Sequence, residues 1–159
     1  MVTTLAFFHR GVNKIFPTRT HVKKNPTMLI VTAAAIIHPD GRILLQTRPK
    51  GRDMEGLWEF PGGKLEPDEQ PESALSRELL EELDIEVAPG DLVPTCFASA
   101  KIGERDLLLL LYCCRNWQRV PRSMEGQELG WFLLEQMDDL PMPPADLPLI
   151  ELLRKILAD

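Results

Sequence analysis

One stretch, Gly63 to Ile85, constrains this chain more than any other. It leaves a Gly-Gly pair, passes Pro67-Asp68-Glu69-Gln70-Pro71, and then runs to Ile85 without a further Gly or Pro. Pro71 suits a first helical turn, and Glu72 is favourable near a helix's positive end. Ala74, Leu75, Leu79 and Leu83 recur at helical spacing, which predicts an amphipathic helix with that set facing inward. The same helix carries Glu78, Glu81 and Glu82 three and four residues apart, hence on one face. Stacked like charges weaken an isolated helix by a few tenths of a kcal/mol per pair. Their presence predicts a cation to be held there, and oxygen-only ligands favour hard Mg²⁺ or Mn²⁺ over zinc. The plainer alternative is a solvated acidic face.

Around that helix the pattern is mostly strand-like. Leu29 to Ile37, the turn His38-Pro39-Asp40-Gly41, and Arg42 to Arg48 together predict a hairpin. Pro49 to Pro67 is rich in Gly and Pro and reads as a long loop with a short strand at Leu57–Phe60; long loops in compact domains are usually functional. Further strands are predicted at Leu92–Ala100, Leu107–Arg115 and Glu128–Leu134, and an amphipathic helix at Leu147–Leu157. Strands on both sides of one central helix, with a second helix at the end, predict an α/β sandwich with a mixed sheet.

The length of 159 residues fits one domain. Residues 1–27 hold five cations (Arg10, Lys14, Arg19, Lys23, Lys24) and no acid, which leaves −11 of the net −6 for the remainder. An acidic body argues against a nucleic-acid partner, although it leaves nucleotides open, since a bound cation and local arginines can supply positive field. The basic segment 1–27 is open to three readings, a transit peptide, an unstructured extension or a start codon placed too early, since Met28 stands directly before the first strand-like run; we take the extension, with the folded domain spanning 28–159. Cys96, Cys113 and Cys114 form no CxxC pattern, and neighbours in a strand face opposite sides, so reduced thiols in a cytoplasmic protein are expected. The longest apolar run, Leu107 to Cys114, is too short to span a membrane.

The order Gly63, five residues, Glu69, seven residues, Arg77-Glu78-Leu79-Leu80-Glu81-Glu82, two residues, Ile85 resembles the signature of the Nudix hydrolases. Those enzymes cleave nucleoside diphosphates linked to another group, and the resemblance, over residues 28 to 158, implies their α/β/α sandwich. One position departs: the family has Gly where this chain has Asp84, a helix stop that favours the left-handed conformation and tolerates Asp. The resemblance implies Glu78, Glu81, Glu82 and the Gly62 carbonyl as metal ligands, with Glu125 a candidate fourth carboxylate. Arg77 and Glu69 then orient the ligands from behind. Bound Mg²⁺ neutralises phosphate charge and acidifies a water that attacks phosphorus in line, with Glu78 as the expected base.

Leu57-Trp58-Glu59-Phe60-Pro61-Gly62-Gly63-Lys64 and the tail Pro143-Pro144-Ala145-Asp146-Leu147-Pro148 resemble the family's MutT-type enzymes, which convert 8-oxo-dGTP to the monophosphate and pyrophosphate. On that resemblance Arg48 and Arg105 contact substrate, Glu59, Phe60, Pro61 and Gly62 line the nucleotide site, and Asp146 reads the base. MutT proper has Asn at Asp146 and His at Asp53. The related CTP pyrophosphohydrolases share the Pro-Ala-Asp tail, so cytosine stays open beside 8-oxoguanine, as does a plain helix-capping role for Asp146. The Ser-Gln-Pro-Trp-Pro pattern of the NADH enzymes is missing. A catalytically silent, nucleotide-sensing module is the rival of another class; such modules typically lose signature glutamates, and here Glu69, Glu78, Glu81 and Glu82 are all present. The expected partner is a nucleoside triphosphate substrate, with no nucleic acid or membrane, and the expected state a monomer.

Overall fold

In the computed structural model, which describes residues 28–158, alternate residues of Leu29–Ile36 (β1) feed two separate cores. Ala33 and Ala35 face one side and Ala34 and Ile36 the other, the period-2 geometry of a strand covered on both faces. Helix α1 (Pro71–Leu83) closes one side with Ala74, Leu75, Leu79 and Leu83 fully buried, the inward set its spacing predicts. Helix α2 (Leu147–Leu157) closes the other with Leu149, Ile150 and Leu153. Each such leucine contributes about 2 kcal/mol relative to exposure, so either helix is held by its apolar face rather than by intrinsic propensity. Segment 1–27, expected to be an unstructured extension, lies outside the described residues.

Two sheets lie between the helices. The first has the order β4 (Gly62–Lys64), β1, β6 (Arg105–Cys114), β5 (Leu92–Ile102), with β1 parallel to β6 and the other pairs antiparallel. The second has the order β3 (Trp58–Glu59), β2 (Ile43–Thr47), β7 (Leu129–Phe132), all antiparallel. This is the expected α/β sandwich with mixed pairing, now divided into two sheets.

Two expectations are corrected. β1 and β2 do not form a hairpin: beyond the turn they meet only at the Ile37–Ile43 bridge and then diverge into different sheets. Both edges of β1 are occupied, by β4 and β6, so β2 pairs instead with β3 and β7. Gly62–Lys64, expected as loop, is a strand, because the missing side chain of Gly62 lets the chain lie flush against β1. A Cβ there, at φ +152°, would sit 2.0 Å from the Thr32 carbonyl oxygen.

Asp84 stops α1 in the left-handed conformation (φ 55°, ψ 31°), with its N–H donating to the Leu80 carbonyl at 3.0 Å. Cys113 packs on the α2-side core and Cys114 lies in the α1-side core, and all three cysteines are free thiols. Among the described residues no helix is long and apolar enough to cross a membrane.

Candidate active site

Arg77 projects from the middle of α1 and gathers the acids around it. Its Nε and Nη2 donate to the two carboxylate oxygens of Glu69, each at 3.0 Å, and its Nη1 donates to Glu78 Oε1 at 2.8 Å and to Glu81 Oε2 at 3.5 Å. Glu69 is itself fixed at the end of the preceding loop, accepting from the Glu66 N–H at 3.2 Å. The fork on Glu69, joined by the bond to Glu78, holds the guanidinium firmly charged, and Arg77 in turn lowers the Glu69 pKa. Glu78 lies directly over Gly63, where a Cβ would fall 2.2–2.4 Å from its carboxyl atoms. A side chain at residue 63 therefore fits between strand and helix only if the Glu78 carboxyl moves.

Glu82 occupies the inner side of the same face. Its Oε2 accepts from Gln46 Nε2 at 2.8 Å and from the Gly62 N–H at 3.3 Å. Burial pushes its pKa up to about 7; the hydrogen bond from Gln46 opposes that rise, and the charge of Glu78 adds to it. Gln127, 5% exposed, donates to the Glu82 carbonyl at 2.9 Å and to Gln46 Oε1 at 3.4 Å, while its own Oε1 accepts from the Glu125 N–H at 2.9 Å. Gln127 therefore ties the loop bearing Glu125 to the end of α1. Glu125 itself is exposed.

The donor set fits a hard divalent cation. It consists of carboxylate oxygens, and the charge of Glu78 adds to the raised pKa of the half-buried Glu82, a load that a cation would relieve. Among the described residues no three His, Cys, Asp or Glu side chains converge at metal-binding spacing. Arg77 draws Glu78 and Glu81 to one side, while Gln46 and Gly62 hold Glu82 on the other.

A second cluster lies at the start of α2. Arg48 Nη1 donates to Glu59 Oε2 at 2.5 Å and its Nε to the Asp53 carbonyl at 2.6 Å. Burial raises the Glu59 pKa, and Arg48 opposes the rise. Asp146, 5% exposed, accepts from the Phe60 N–H at 3.4 Å. Burial and then the charge of Glu59 push its pKa up to about 7. Phe60 and Pro61 are buried, and the Pro61 carbonyl accepts from the Ala34 N–H at 2.9 Å. Glu59 raises the pKa of both Asp146 and Glu82, so it lies electrostatically between the two clusters.

The capping role left open for Asp146 is not adopted. Asp146 is the N-cap residue of α2, but its side chain makes no cap bond. Pro148 removes one of the N–H groups a cap would serve, and the Leu149 N–H donates to the Asp146 backbone carbonyl at 3.0 Å. Arg105 stands apart. It lies exposed at the first position of β6, and among the described residues no hydrogen bond or ion pair joins it to Arg48, Glu59 or Asp146. Gln46 and Gln127 escaped the sequence reading. For Gln46 the available signal was an amide inside an otherwise apolar strand, which needs a polar partner elsewhere; Gln127 lies in a loop and carried no such signal.

The Asp146 carboxyl sets a measurable pH dependence. Its folded pKa of about 7 stands above the unfolded 3.8, so the folded state holds the proton more tightly. The resulting stability is fully present below the unfolded value and is lost as pH rises through 7. Relative to Asp146→Asn, the metal-free protein should lose roughly 3 kcal/mol between pH 5 and pH 8. Urea unfolding of both proteins at the two pH values checks this; an unchanged difference would rule it out.

The sequence matches the family model described as NUDIX domain over residues 32–152. It is 42% identical over 123 residues to a protein of Escherichia coli (strain K12) named CTP pyrophosphohydrolase, covering 77% of this chain and 90% of that one. It is 35% identical to a Haemophilus influenzae protein named 8-oxo-dGTP diphosphatase, covering 77% and 89%. Among solved structures, the solution structure of the E. coli ORF135 protein superposes with a TM-score of 0.73 at 38% identity, covering 82% of this chain and 91% of that one. With the signature acids gathered around Arg77 and the family model spanning most of its length, the chain belongs to the Nudix family.

Proposed function

We propose that this chain is a Mg²⁺-dependent nucleoside triphosphate pyrophosphohydrolase of MutT type, with 8-oxo-dGTP as its leading substrate and nucleotide-pool sanitation as its role. The observation that carries the reading is the Arg77 hub, which holds Glu69, Glu78 and Glu81 beside a half-buried Glu82. A purely solvated acidic face has no need of an inward carboxylate with a pKa near 7. Glu78, Glu81, Glu82, the Gly62 carbonyl and Glu125 would hold the cation, with Mn²⁺ an acceptable substitute. When bound, the cation supplies charge neutralisation on the phosphates and a water of lowered pKa.

The chain's own residues do the rest. Arg77 fixes Glu78 by one oxygen over Gly63, which orients its carboxylate to accept a proton from the attacking water. Arg48, itself braced by Glu59 and the Asp53 carbonyl, offers a cation beside the nucleotide pocket. Asp146 and Glu59 present polar edges at the base end. With its pKa near 7, the Asp146 carboxyl can both accept and donate. That suits the N7–H and O6 of 8-oxoguanine. It suits the amino group and N3 of cytosine as well, and the 42% identical relative named CTP pyrophosphohydrolase favours this second reading. Arg105 would reach substrate only from the β5–β6 turn, and we keep it as a phosphate or sugar contact. The three free thiols fit a cytoplasmic location.

A turnover panel with Mg²⁺ tests the proposal: kcat/KM for 8-oxo-dGTP, dGTP, CTP, dCTP and ADP-ribose, with products identified. The expected result is preference for 8-oxo-dGTP with release of pyrophosphate. Preference for the cytosine nucleotides would move the protein to the pyrimidine branch. No turnover of any of them would overturn the enzymatic reading.

A further inference from the structure

Asp84 sits where the family pattern has glycine, directly after the last turn of α1. A glycine would stop the helix and offer nothing more. The aspartate stops it in the same left-handed conformation and adds a carboxylate, 17% exposed, that two arginines of one distant loop grip by opposite oxygens. Arg119 Nη1 donates to Oδ1 at 2.8 Å and Arg122 Nη2 donates to Oδ2. Arg119 reaches Glu86 with its other amino group. Its backbone is left-handed too, φ 71°, a conformation that a residue with a side chain keeps only when its surroundings dictate it.

The gripped loop then runs along the end of α1. The Gln118 N–H donates to the Glu86 carbonyl at 2.9 Å, and the Glu86 N–H returns a bond to Gln118 at 3.2 Å. The Arg122 N–H donates to the Leu83 carbonyl at 2.9 Å and the Met124 N–H to the Glu82 carbonyl at 3.1 Å. These are carbonyls that a helix end leaves without partners of its own. Glu125 follows, its N–H held by Gln127. An unbroken set of contacts thus leads from the Asp84 carboxylate to the backbone of Glu125, and it passes the carbonyl of Glu82 on the way.

We propose that Asp84 is a positioning residue for the metal centre: through Arg119 and Arg122 it fastens the 118–127 loop to the end of α1 and so sets Glu125 in register with Glu81 and Glu82. The proposal rests on the Mg²⁺ reading above. It makes the departure from the signature a working part of the site. A glycine at this position leaves the loop to its backbone contacts alone; the aspartate adds an ionic anchor.

The test is Asp84→Gly, which keeps the left-handed stop and removes both acceptor oxygens. The metal-free variant should melt within a few degrees of the parent protein, since the anchor's partners are exposed arginines and such pairs contribute little to global stability. Its affinity for Mn²⁺, followed by the paramagnetic resonance of the free ion, should fall about tenfold, in the range that the outer partners of metal ligands command. Amide exchange at Met124 and Glu125 should quicken. Arg122→Gln should likewise lower the Mn²⁺ affinity and quicken exchange, with the melting temperature again close to that of the parent protein. In a Glu125→Gln background, Asp84→Gly should cost no further affinity if it acts through Glu125. Parent-like Mn²⁺ affinity in Asp84→Gly, or an undiminished loss in the Glu125→Gln background, would overturn the proposal. If Asp84→Gly fails to fold, the Arg119→Gln, Arg122→Gln double variant carries the same comparison. If the parent protein takes up no Mn²⁺, the metal reading itself fails, and the proposal falls with it.

Discussion

Glu82→Gln is expected to lower kcat/KM for the preferred nucleotide by about a thousandfold, the scale of losing one preorganised charge contact at a reacting centre. At pH 8 and without metal, the same variant should be as stable as the parent protein or more so. Glutamine keeps an oxygen to accept from Gln46 and from the Gly62 N–H, and it removes the charge whose burial raises the Glu82 pKa to about 7. The sign follows from linkage. The folded pKa lies above the unfolded 4.5, so the carboxyl favours the folded state at low pH and that advantage is lost above 7. The neutral side chain avoids this loss, worth about 1–3 kcal/mol at pH 8. Turnover assays and urea unfolding together check it. A solvated acidic face predicts the reverse pattern, with activity kept; that outcome would end the metal assignment.

The two neighbouring glycines should separate chemistry from folding just as sharply. In Gly63→Ala the new methyl falls 2.2–2.4 Å from the Glu78 carboxyl, the far end of a flexible side chain. The carboxyl can swing away, so the fold survives, but Glu78 leaves Arg77 and turnover should drop by about a hundredfold or more. In Gly62→Ala the methyl meets the Thr32 carbonyl oxygen at 2.0 Å and the Ala33 Cα at 2.7 Å, both backbone atoms of β1, at a φ that residues with side chains rarely adopt. Overpacking and strain together should cost about 3 kcal/mol or more. Denaturant midpoints and kcat/KM measured side by side decide. An active Gly63→Ala, or a Gly62→Ala as stable as the parent, would contradict the fit between β4 and its neighbours.

Helix α1 was legible from end to end because independent local signals agree along it: Pro71 at the start, leucines at helical spacing, a residue that tolerates the left-handed stop. The strands were legible as segments, but their partners were not. Whether β2 returns along β1 depends on β6 claiming that edge, and β6 lies far down the chain. The amides around Glu82 were hidden for the same reason. Gln46 meets it across 36 positions, and Gln127 meets its carbonyl across 45. Asp146 meets Phe60 across 86 positions, so the choice between capping α2 and accepting from the Phe60 N–H is tertiary, and no local pattern records it. The acids of the signature were visible by their spacing, whereas the groups that set their pKa values were not.

The parallel register of β1 and β6 has a consequence for how the protein comes into being. Leu29, at the start of the first described strand, lies opposite Leu107. During synthesis, β4 and α1 emerge while one edge of β1 is still open and the α1-side core still lacks Tyr112 and Cys114. Parallel, long-range pairing is slow to form, because the loop-closure cost comes before any contact repays it. The nascent signature helix therefore waits on a segment translated well after it, and the loop carrying Glu125 follows later still. A growing chain thus carries every acid of the signature helix before the strand that completes the core beneath that helix has been made.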